Sequence, residues 1–181
     1  MNNVSKIKIK YKGEIVIKKI VSVVVILGLV AIGSIIGIKE YKEIQIENEQ
    51  ETLEFIKENY NELCELGSEF NDVEYDYYGY REEQTIYDEI ASDIEDVIEE
   101  LKQYEIKPFK NDEEYNEILK LFIEATEDFR KSVVARADYC STFDGDDMIE
   151  QNKYMREWNK KADDVLDFIE EKTLLNESEE I

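Results

Sequence analysis

The chain has 181 residues, with 22 Lys plus Arg against 45 Asp plus Glu and a formal net charge of −23. That balance repels nucleic acid rather than binding it. The absence of histidine removes the commonest general base, the commonest zinc ligand and the Glu-x-x-His pattern of carboxylate-bridged metal bundles.

Residues 1–19 carry six lysines and one glutamate. Within them VSKIKIKYK alternates lysine with Ile7, Ile9 and Tyr11. A lone strand there would have no partner, so a flexible basic arm is expected. Its lysines would meet anionic lipid or simply set topology.

From Ile20 to Ile38 follow 19 residues without a charge, IVSVVVILGLVAIGSIIGI. As a helix, such a run is long enough to cross the hydrocarbon core of a bilayer. Lysines flanking a span stay on the cytoplasmic side, which places the N-terminus inside and the remainder outside. An uncleaved signal anchor is expected because the run continues through Ile35, Ile36 and Ile38. The alternative is a signal peptide cut after Ala31-Ile32-Gly33. Gly33 and Gly37 form Gly-x-x-x-Gly, a face on which a second copy could pair as a homodimer through the transmembrane helix.

Residues 39–181 hold all the other charges, 16 basic against 44 acidic. They suffice for one domain. Their apolar residues fall into four stripes at helical spacing: Ile46, Leu53, Ile56, Tyr60, Leu63 and Phe70; then Tyr87, Ile90, Ile94, Val97, Leu101 and Tyr104. The third runs through Tyr115, Leu119, Phe122, Phe129 and Val133, widened by Ile118 and Ala125. The fourth holds Met148, Met155, Trp158, Ala162, Val165 and Ile169. Steps of three, four and seven are those of left-handed helix packing. The fold class is therefore all-α: one N-terminal transmembrane helix, then an antiparallel four-helix bundle. The first bundle helix is expected from Lys39 to about Asn71, continuing from the span.

Stop and start signals fit this division. Pro108 ends the second helix. Asn111 with Glu114 suits a capping box opening the third. Asp144-Gly145-Asp146 suits a tight turn, with Asp147 and Glu150 capping the fourth.

Between the first and second helices, Tyr75, Tyr77, Tyr78 and Tyr80 crowd one linker. They make either a partner-binding tip or an aromatic cap on the core. Asp72, Glu74 and Asp76, and likewise Asp144, Asp146 and Asp147, lack the spacing of a calcium loop. Cys64 and Cys140 lie on helices expected to run parallel, either as a disulfide or as two separate thiols. No nucleophile–base pair, phosphate loop or metal spacing stands out, so neither catalysis nor a cofactor is expected. The expected role is a membrane-anchored acidic bundle that meets membrane lipid through its arm and serves protein binding or sensing through its body. A secreted bundle acting as a soluble inhibitor or immunity-type factor is the alternative.

Overall fold

The computed structural model describes the backbone of residues 3–73 and 80–179, and the side chains of 37–73 and 81–176. Four helices account for nearly all of it: α1 (Asn3–Asp72), α2 (Tyr80–Gln103), α3 (Asp112–Thr142) and α4 (Gly145–Glu179). No strand occurs among the described residues. The chain forms two compact units, Met1–Ile46 and Glu47–Ile181.

The first unit contains the beginning of α1. Its backbone is helical from Asn3. With no second strand alongside, the helix is the one arrangement in which that backbone pairs its own N–H and C=O groups. Lys39 and Glu43 form an exposed i,i+4 pair at 3.6 Å. Ile38, Tyr41, Ile44 and Ile46 are exposed, so Ile46 does not belong to the buried stripe. Among the described residues no helix is long and apolar enough to cross a membrane. The side chains of residues 20–36 lie outside those described.

The second unit is a bundle of four helices around one core. Leu53, Ile56, Leu63 and Phe70 of α1 are buried, as are Tyr87, Ile90, Ile94, Val97 and Leu101 of α2. Tyr115, Leu119, Phe122, Ala125, Phe129 and Val133 of α3 meet Trp158, Ala162, Val165 and Ile169 of α4. Burying each large aliphatic side chain contributes roughly 1.5–3 kcal/mol.

Side-chain pairings set the helix directions. Phe70 packs on Tyr87, whereas Phe55 packs on Tyr104, so α1 and α2 run oppositely. Lys102 meets Glu127 and Tyr87 meets Arg136, so α2 and α3 do too. Trp158 stacks on Phe129 and Phe168 meets Tyr115, so α3 and α4 are also antiparallel.

The segment from Tyr104 to Asn111 does more than stop α2. Tyr104 stacks on Phe55 with centroids 3.8 Å apart, and its hydroxyl lies 3.3 Å from Thr52 Oγ1. Lys107 bonds Glu51 at 2.6 Å, and Asn48 Nδ2 donates to the Pro108 carbonyl at 3.1 Å. Phe109 is buried edge-on against Tyr115. The segment thus plugs one end of the core.

Helix starts differ from the expected caps. Asn111 is left-handed (φ 70°), and its side chain makes no capping bond. A capping box needs an extended N-cap, so the Asn111–Glu114 pairing fails. Glu114 instead accepts from Lys172 of α4 at 2.7 Å. At the other turn, Asp144 Oδ1 accepts from the Asp146 N–H at 3.0 Å, so α4 is capped three residues before the expected Asp147. Asp147 accepts from the Thr142 hydroxyl.

The outer faces are acidic. Burial, then Glu100, Glu65 and Asp93, raise the Glu62 carboxyl above its ordinary pKa. Like-charge repulsion of this kind opposes folding and weakens as salt shortens the Debye length to about 8 Å at physiological ionic strength. The melting temperature of the bundle should therefore rise through a NaCl series, and rise further with millimolar-range magnesium or calcium. A flat or falling series would show that repulsion does not limit stability.

Candidate binding surface

Three hollows lie along the α1–α4 seam. Toward the plugged end a hollow of about 620 Å³ lies between Leu53, Glu54 and Lys57 of α1 and Thr173 and Asn176 of α4. A second, of about 400 Å³, shares Lys57 and Thr173 and adds Ile169, Glu170 and Leu174. A third, also about 400 Å³, runs from Tyr60 to Asn71 on α1 and faces Trp158, Asn159, Ala162 and Asp163.

Small side chains account for the third hollow. Cys64, Gly67 and Ser68 of α1 stand opposite Asn159 and Ala162 of α4. Two helices bearing such residues cannot fill the space between their outer edges. A methyl on Gly67 would lie 3.8 Å from Phe129 Cζ, an ordinary contact. Gly67→Ala should therefore stabilise the bundle by about 0.5–1 kcal/mol through helix propensity alone. A urea midpoint that falls instead would mean the seam closes more tightly than this geometry shows.

Tyr60 borders the third hollow, and its phenol is pushed up to about 12. Burial is the largest cause, followed by Cys64 and by the carboxylates of Asp163 and Glu170 on α4. Glu54, Asp163 and Glu170 line the seam, so it is acidic as well as partly apolar. Trp158 is buried at its floor, stacked on Phe129 at 5.1 Å. Leu174 is 67% exposed at its other end.

Elsewhere several buried polar groups bind one another. Asp128 accepts from Lys161 at 2.7 Å and from Lys131 at 3.2 Å. Burial opposes its charge, but the two lysines win and hold its carboxyl below the ordinary value. The Tyr115 hydroxyl donates to Glu49 at 3.0 Å. Burial raises the Cys140 thiol, with Arg136 opposing and Glu83, 4.0 Å away, adding to the rise. A raised thiol is a poor nucleophile at neutral pH.

Cys64 and Cys140 are separate free thiols, the first exposed and the second buried. Gly67 lies level with Phe129 on the parallel α1 and α3. Cys64 precedes that level by three residues and Cys140 follows it by eleven. At 1.5 Å per residue the axial offset is about 21 Å, three times the reach of a disulfide. Among the described residues no group of three or more His, Cys, Asp or Glu could hold a metal ion. Asp144 and Asp147 are engaged by the turn they build.

Tyr75, Tyr77 and Tyr78 lie outside the described residues, as do Glu74, Asp76 and the side chain of Tyr80, which opens α2. Gly33 falls on the α1 backbone outside the described side chains. At Gly37 an added Cβ would meet nothing within 4 Å. The seam itself was not anticipated. Its sequence signal is the run Cys64, Gly67, Ser68, small residues at helical spacing on a helix otherwise rich in large ones. No family model matches the chain, and neither the curated proteins nor the solved structures compared with it contain a match.

Proposed function

We propose that this is a single-pass membrane protein, N-terminus cytoplasmic, whose acidic bundle stands outside the membrane and binds a protein partner without catalysing a reaction. One observation carries the placement: the uncharged run Ile20–Ile38 separates a stretch of six lysines and one glutamate from a body with 44 acidic residues. The α1–α4 seam supports the binding role, since it offers apolar and aromatic area beside carboxylates. The buried Asp128 and Lys172 and the half-buried Lys161 are spent on structural pairs, which favours a scaffold over a reaction centre. Gly33 and Gly37 would let two anchors pair in the bilayer.

Protease added outside intact cells should degrade the bundle and spare residues 1–19, and the intact mass should retain Met1. A body protected until lysis would reverse the orientation. A mature chain beginning after Gly33 would favour the secreted alternative, for which Ala31-Ile32-Gly33 is the supporting feature. A photoreactive residue on the bundle surface should yield a discrete protein adduct in membranes. Its absence at every position tried would remove the protein-binding role.

A further inference from the structure

We propose that the α1–α4 seam receives a cationic amphipathic helix of the partner protein. This rests on the protein-binding role and adds the chemistry of the partner. Shape is the first argument. The three hollows follow one another along α1 from Glu47 to Asn71, 24 residues or about 36 Å at 1.5 Å per residue. A helix of about 20 residues is about 30 Å long and lies naturally between two antiparallel helices. The described residues contain no strand, so there is no sheet edge to which an extended peptide could add.

Charge is the second argument. Glu47, Glu54, Asp163 and Glu170 line the hollows beside Glu51, which Lys107 already engages, and Lys57 is the one basic lining residue. Lys57 is already 3.9 Å from Glu54. A guest with lysines or arginines along both edges matches these rims, and an acidic or neutral helix does not.

Apolar spacing is the third argument. Trp158 and Ala162 form one apolar floor, and Ile169 with the exposed Leu174 forms another. Trp158 and Ile169 are eleven residues apart on α4, about 16 Å. A guest helix meets both floors with apolar anchors at i and i+11, three turns apart on one face. The i, i+4, i+7, i+11 stripe of an amphipathic helix supplies this.

The test uses the full chain in nanodiscs of zwitterionic lipid, with empty discs correcting for lipid binding. The probe is a 20-residue Leu/Lys peptide with leucines on one helical face and no tryptophan. Trp158, the chain's single tryptophan, reports from the seam, and so does alkylation of the exposed Cys64. The peptide should change Trp158 emission saturably and slow Cys64 alkylation tenfold or more. The variant E54K/D163K/E170K should lose both responses. E99K/E113K/E117K, with the same charge change on α2 and α3, should keep them. Melting curves must show both variants folded; if the first is not, E54Q/E170Q, expected to weaken binding at least threefold, replaces it.

Equal loss in the two charge variants would overturn the proposal in favour of diffuse attraction. So would equal binding of a scrambled peptide lacking the apolar face. A discrete protein adduct in membranes with no peptide response would retain protein binding and reject a cationic helix as the ligand.

Discussion

Replacing Trp158 with alanine should lower the stability of the bundle by about 3–5 kcal/mol, the range for large aromatic truncations in cores. The ring is 9% exposed and stacks on Phe129 with centroids 5.1 Å apart and planes 23° from parallel. Phe129 in turn meets Phe70 edge-on, so the truncation reaches α1 as well as α3 and α4. The seam outside Trp158 is already underfilled, and collapse there cannot easily close the void. Chemical denaturation of Trp158→Ala, read by far-UV circular dichroism, checks the magnitude. Trp158→Phe keeps a stacked ring and should recover most of the loss. An unchanged midpoint for the alanine variant would mean that the ring does not support the core.

Asp128→Ala should cost about 2–3 kcal/mol, and the loss should depend on pH. The carboxylate accepts two charge-assisted hydrogen bonds, each contributing about 1.5–3 kcal/mol, with Lys131 the more exposed and weaker partner. Truncation also leaves Lys161, only 24% exposed, with Glu124 at 4.0 Å as its remaining partner. The folded pKa of Asp128 is lowered, so its contribution is complete above the unfolded value near 3.9 and is lost as pH falls through the folded one. Glu62 has the opposite sign. Its folded pKa is raised, so protonation favours the folded state as pH drops from neutral toward its titration. The wild-type bundle should therefore gain stability as pH falls from neutral toward the titration of Glu62, and should lose the Asp128 contribution only at lower pH. Asp128→Ala should flatten the acid limb, and the two curves should converge at the lowest pH. Parallel curves down to that limit would show that the carboxylate is not ionised in the fold.

Much of the fold was legible because helical stripes are local. The 3-4 spacing from Tyr87 to Leu101 needs no partner to be read, and each of its residues is buried. Ile46 misled because the stripe continues into a part of α1 outside the packed unit. Asn111 misled because a capping box assumes an extended backbone, and the plug before α3 turns that residue left-handed. The plug was invisible for a related reason. Tyr104, Lys107 and Phe109 acquire roles only when α1 is brought alongside by tertiary packing. The seam is less legible still. It depends on which helix sits beside α1 and at what level, and spacing within one helix carries neither fact. Whether Cys64 and Cys140 pair was open for the same reason, and the level of Gly67 beside Phe129 resolves it.

The closeness of Leu53 and Lys57 to Thr173 and Asn176 has a mechanical consequence. The bundle is entered at Glu47 and left by α4 at the same end. Tension applied across those two points would peel α1 from α4 one turn at a time, rather than shearing all their contacts together. The seam being peeled carries the larger hollows among those described, so it should yield at low force while the α2–α3 pair stays folded. A guest seated along that seam would act as a latch, and its occupancy would register as a higher opening force in a single-molecule pull.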